Sequence, residues 1–115
     1  MPLIDNQARD RIRELNDTFR KTFDLKLGKV VLTPGISEFG ADIKVRIMMA
    51  VREFTAFDEG NDPHGEHDFG AFEHNGNSIY WRIDCYDRDM RGGSLDAADP
   101  AVTRRVLTIM LAEEY

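Results

Sequence analysis

Four side chains able to bind a metal ion or move a proton fall within the five positions His64-Gly65-Glu66-His67-Asp68, with His74 and Asp84 further along. Imidazole nitrogen and carboxylate oxygen suit Zn, Mn or Fe. The spacing is less favourable: on an extended chain His67 and Asp68 point to opposite faces, and the helix-borne His-Glu-x-x-His arrangement is absent. A divalent metal such as Zn on His64, Glu66, His67, Asp68 and Asp84, in a metal-binding protein or metal-assisted hydrolase, is therefore the alternative reading. The leading one assigns no cofactor and no catalytic residue. Cys85 stands alone, so neither an internal disulfide nor a cysteine-based zinc cluster can form, and it reads as a small buried hydrophobe in a reducing compartment. Gly92-Gly93-Ser94 lacks the Lys-Ser/Thr of a phosphate loop and reads as a flexible connection.

These residues must be positioned by a chain of 115 residues, enough for one domain and no second core. At 42% hydrophobic and 31% charged, the composition suits neither a disordered tail nor a membrane protein. No signal-peptide pattern opens the sequence, so a cytoplasmic location is expected. The net charge of -6 argues against a surface that coats nucleic acid. It is unevenly spread: residues 1–31 carry +2, 32–52 carry +1, 53–99 carry -9 and 100–115 are neutral. A site or interface is therefore sought between Glu53 and Asp99.

Ile4, Ala8, Ile12, Leu15, Phe19 and Phe23 recur in steps of three and four, which predicts a helix from about Asp5 to Phe23, capped by Asp5 and with Lys21 in its last turn. Arg9, Arg13 and Arg20 fall within about 40° of one another beside the apolar stripe and read as a basic, solvated rim. Lys29 to Thr33 reads as a short buried strand. Phe39, Ile43, Ile47, Ala50, Val51 and Phe54 predict a second helix with Ser37 as its N-cap, followed by a short extended segment at 55–57. Asp58 to Gly65 is a loop. Asp99-Pro100 begins a third helix to about Glu113, with Val102, Val106, Ile109 and Met110 on one face.

Asn75-Gly76 lies between two strand-like runs and predicts a type I′ hairpin, because this pair tolerates two successive positive φ angles. The turn sets the register. Phe72 opposes Ile79, Gly70 opposes Trp81 and Asp68 opposes Ile83 on the core face, with Trp81 lying over the bare glycine. Ala71 opposes Tyr80, Phe69 opposes Arg82 and His67 opposes Asp84 on a mixed face, with Tyr86 beyond. A His67–Asp84 pair would be half of a general-base arrangement, but no nucleophile accompanies it, and it reads as a hydrogen bond tying the open end of the hairpin. Phe69, Tyr80, Arg82 and Tyr86 are residue types enriched at protein interfaces. The first or third helix of the same domain packed on that face would account for them more simply than an external partner.

The runs Asn61-Asp62-Pro63-His64-Gly65-Glu66-His67-Asp68-Phe69-Gly70, Trp81-Arg82-Ile83-Asp84 and 99–115 resemble a small bacterial family, domain-of-unknown-function family 3768. The resemblance brings no assigned activity and no catalytic residues. Its members' occurrence on plasmids and other mobile elements implies an accessory or anti-defence role.

The expected fold is α+β: a single domain, 1–115, with a small antiparallel sheet of three to four strands around a 68–86 hairpin, packed by about three helices. The expected function is that of a small soluble interaction protein whose acidic region, with Phe69, Tyr80, Arg82 and Tyr86, contacts a protein partner. Neither nucleic acid nor a membrane is an expected partner. Nucleic-acid binding through Arg9, Arg13 and Arg20 is the weaker competing idea.

Overall fold

The structure is a computed structural model and describes residues 5–115, without the side chain of Asp5. The expected contributions of Ile4 to the stripe and of Asp5 to the cap lie outside the described residues. The chain runs α1 (Asp5–Thr22), β1 (Gly28–Leu32), α2 (Pro34–Ser37), α3 (Ala41–Arg52), β2 (Phe69–His74), β3 (Asn77–Tyr86) and β4 (Arg104–Leu111), then a 3-10 turn (Ala112–Glu114). The four strands form one open sheet in the order β1-β4-β3-β2. This is the expected α+β fold. β4 is antiparallel to β3, but β1 joins the far side of β4 in parallel, so the sheet is mixed where an antiparallel one was expected. The connection from β1 to β4 through α2, α3 and the hairpin is long enough to return the chain in the same direction.

The hairpin has the expected register, from His74 opposite Asn77 to Phe69 opposite Arg82, with Asn75 and Gly76 at φ 50° and 82°. A Cβ at Gly70 would fall on the indole of Trp81, so this glycine is what lets the ring lie flat across β2. Phe19 of α1, Ile36 of α2, and Ile47 and Val51 of α3 join Phe54, Ile79, Trp81, Ile83, Leu107 and Ile109 in one core. The helices thus lie on the sheet face that carries the odd-numbered residues of β3 and β4.

The largest departure is β4. Residues 104–111 form a central strand, not the third helix. Val106, Ile109 and Met110 fit a helical stripe, but Leu107 and Ile109 are fully buried on one face while Val106 and Met110 are 8% and 3% exposed on the other. A strand buried on both faces reads as a continuous apolar run, and its β-branched Val106, Thr108 and Ile109 favour the pleat. Asp99 and Pro100 make only a turn, closed by Ala101 N–H donating to Asp99 Oδ1 at 2.9 Å.

Two smaller departures have local causes. Ser37 ends the short α2, and α3 starts after Gly40, whose carbonyl accepts from Lys44 N–H at 3.0 Å. β1 is an edge strand with Lys29 and Val31 exposed, because its apolar run meets the core only at alternate positions.

Candidate functional site

The 58–68 loop is fastened to α1 by its backbone and by one histidine. Arg13 donates to Gly65 O at 3.2 Å and Asn16 Nδ2 to Glu66 O at 3.0 Å. His67 adopts φ 54°, which turns the chain out of line with β2 just before Asp68 O accepts from Ile83 N–H at 2.8 Å. The imidazole consequently faces α1: Nδ1 lies 2.9 and 3.1 Å from the two Asp17 oxygens, and Nε2 lies 3.6 Å from Asp62 Oδ2. The ring stacks on Phe57 at 3.7 Å and an interplanar angle of 3°. The expected His67–Asp84 pair is not formed, and Asp84 instead meets Arg82 Nε at 3.1 Å. Both ring nitrogens of His67 face carboxylates, so the residue acts as a clamp between loop and helix.

Two arginines are buried. Arg20 does not belong to the basic rim. It is 1% exposed, and its Nη1 donates to the carbonyls of Val51, Arg52 and Phe54 at 2.9, 3.1 and 3.0 Å. These acceptors lie at the C-terminus of α3, where carbonyls lack intrahelical partners and the dipole favours a cation. Nη2 meets Asp17 at 3.1 Å, and the guanidinium lies 5.4 and 5.2 Å from the Phe57 and Trp81 rings. Arg9 and Arg13 do stay near the surface, both on Asp10. Arg105, fully buried on the core face of β4, donates to Asn16 Oδ1 and Ala97 O, both at 2.7 Å. Burial lowers its pKa below the usual arginine range.

Glu66, Asp68 and Cys85 gather near Arg105 at the open end of the hairpin, and Cys85 pairs with Arg105 across β3 and β4. Burial is the main cause that raises the pKa of both Glu66 and Asp68, and neighbouring carboxylates add to it. Burial also pushes the Cys85 thiol up, against the pull of Arg105. His64 is exposed and makes no part of the His67 clamp, but it is near enough to Glu66 and Asp68 to oppose the rise in their pKa values. Among the described residues, no group of three or more His, Cys, Asp or Glu side chains is arranged to hold a metal ion.

The opposite sheet face carries a cluster of rings. Phe69 and Tyr80 meet edge to face at 5.3 Å, and Tyr115, just past the final turn, packs on both at 6.2 and 5.7 Å. Arg82 lies 5.9 Å from the Tyr115 ring. Tyr86 ends β3 in a bridge to Gly93. The structure therefore brings together Phe69, Tyr80 and Arg82, and puts Tyr86 further along the same strand. The packed helices lie on the other side. Sequence reasoning missed Tyr115 because a helix over 100–113 would have carried it away from the sheet.

A family described as a protein of unknown function, DUF3768, matches residues 32–114, which include the clamp loop, the hairpin and β4. The chain belongs to this family. No curated protein and no solved structure matches it. The matched span of this DUF3768 chain excludes α1, so the helix that supplies Asn16, Asp17 and Arg20 to the clamp lies before it. No described helix is long and apolar enough to cross a membrane.

Proposed function

We propose that the chain is a non-catalytic interaction protein that contacts a protein partner through the sheet face opposite its helices. Phe69, Tyr80, Arg82 and Tyr86 are the contact residues, and the acidic loops at the Asp84 end are the electrostatic flank. The observation that carries this reading is the one-sided packing, with the core helices on one face and an aromatic–arginine cluster on the other. Large rigid rings and arginine bury area at low entropic cost and dominate binding hot spots. The net -9 of residues 53–99 favours a partner with a basic surface, such as a nucleic-acid-handling complex.

The test is capture from a native host with the wild-type chain and with F69A/Y80A, followed by reconstitution with the purified partner. A partner held by the wild type, released by the variant and bound at least about ten-fold more weakly by it supports the proposal. The same proteins retained by both chains, or none by either, overturn it.

A further inference from the structure

Glu114 and Tyr115 are held at two adjoining places of different chemistry. Glu114 Oε1 accepts from Thr33 Oγ1 at 2.6 Å and from Leu111 N–H at 2.8 Å, while Oε2 accepts from Gly35 N–H at 3.0 Å. Thr33 and Gly35 are within reach because β1 runs parallel to β4, which brings the two strand ends together; Thr33 N–H also donates to Ile109 O at 3.1 Å. A Cβ at Gly35 would lie 2.7 Å from Glu114 Oε1, so the glycine leaves the room the carboxylate fills. Next to this lies the ring seat of Phe69, Tyr80 and Arg82. Tyr115 fills it only in part, since the residue is 72% exposed.

We propose that the sheet face reads an acidic residue followed by an aromatic one, and that the chain's own Glu114-Tyr115 occupies in cis the seat that a partner protein's acidic–aromatic pair takes in trans. This rests on the interaction reading above and names the chemistry of one short segment of the partner, an acidic–aromatic pair set in the basic surface that the -9 of residues 53–99 favours. The carboxylate subsite presents two backbone N–H groups and the Thr33 hydroxyl, a set that favours an anion. The ring subsite offers edge-to-face contacts and a guanidinium, which selects an aromatic side chain. Because most of Tyr115 is left in water, an incoming segment that covers more of the face gains contacts that Tyr115 lacks. The occupied seat lowers the apparent affinity of any such segment by the fraction of time it is free.

The test uses the full chain carrying E114A/Y115A, whose folding is checked by amide shift dispersion, and the probe acetyl-Ala-Glu-Glu-Tyr. Titration followed by amide shifts is expected to give saturable changes at Gly35, Phe69, Tyr80 and Arg82. Binding should be at least about ten-fold tighter than to the wild type, whose own segment competes. Adding G35A, or replacing the probe's last Glu by Gln or its Tyr by Ala, should remove it. If the double variant does not fold, Y115A alone serves, with the same changes expected at Phe69, Tyr80 and Arg82. No saturable change at these residues, equal affinity for variant and wild type, or indifference to the Glu-to-Gln probe overturns the proposal. Partner capture that depends on Phe69 and Tyr80 while the peptide fails would overturn this inference and leave the interaction reading standing. Peptide binding without partner capture that depends on Phe69 and Tyr80 would overturn the interaction reading and, with it, the exchange in trans, leaving an intramolecular seat alone.

Discussion

Replacing Arg20 by alanine distinguishes a buried helix cap from a solvated rim. The substitution removes a guanidinium that is 1% exposed, takes a donor from three carbonyls at and just beyond the end of α3, of which Val51 O keeps Phe54 N–H, and breaks the ion pair to Asp17. Removing one partner from a buried charged network costs about 3–5 kcal/mol, because the groups left behind are desolvated and unpaired. Domains of this size hold about 5–15 kcal/mol in total, so the loss would consume a third or more of a typical stability. At roughly 4 °C per kcal/mol, the midpoint of thermal unfolding should fall by roughly 12–20 °C. Arg13→Ala is the control. Arg13 is about one-third exposed; its ion pair with the exposed Asp10 contributes about 0–1 kcal/mol and its bond to Gly65 O about 1 kcal/mol more, still well below the Arg20 loss. Arg20→Lys should recover little, since an ammonium cannot fork between the α3 carbonyls and Asp17. Urea unfolding by circular dichroism reads all three. An Arg20→Ala loss within about 1 kcal/mol of the Arg13→Ala loss would refute the capping argument.

Gly70→Ala should destabilise by about 1–3 kcal/mol as the new Cβ displaces Trp81, visible as a shift in indole fluorescence and a lower urea midpoint. The bonds from Thr33, Leu111 and Gly35 lower the pKa of Glu114, so its contribution is present above the unfolded value of about 4.3 and lost as pH falls through the lower folded one. The stability gap between wild type and E114Q should therefore be open at pH 7 and close under acid; a gap independent of pH from 7 to 2 would contradict this. Because burial raises the Cys85 thiol, alkylation at pH 8 should be at least several-fold slower than for the unfolded chain, and a rate equal to the unfolded one would contradict the placement.

The hairpin was fully legible because one dipeptide sets both turn and register, and every pair from Phe69–Arg82 to His74–Asn77 follows from Asn75-Gly76. α1 was legible because its stripe repeats over five turns. β4 was not, since a strand paired on both sides and buried on both faces loses the alternation that marks half-buried strands, and its apolar positions satisfy a helical period by chance. Thr103, Val106, Thr108 and Ile109 were the available contrary signal. Of the site, Phe69, Tyr80 and Arg82 were legible from strand parity alone. The His67 clamp was not, because a single left-handed residue outside the ladder reversed its direction. Arg20 lay beside the apolar stripe, and that position was itself a hint of burial that its charge obscured.

The acidity of residues 53–99 serves loop construction and long-range charge together. Asp58 Oδ1 accepts from the N–H groups of Gly60 and Asn61, Asp87 Oδ1 from Arg91, Asp96 Oδ1 from Ala98 and Asp99 Oδ1 from Ala101, so these carboxylates shape the turns beside the sheet. In the proposed interaction, short-range contact falls instead to the rings of Phe69, Tyr80 and Tyr115 and the aliphatic stem of Arg82. In that interaction, charge acting over about 8–10 Å would set how fast a basic partner arrives, while contacts at the rings would set how long it stays. The two parts of the surface are separable in kinetics, the first through salt and the second through truncation of Phe69 or Tyr80.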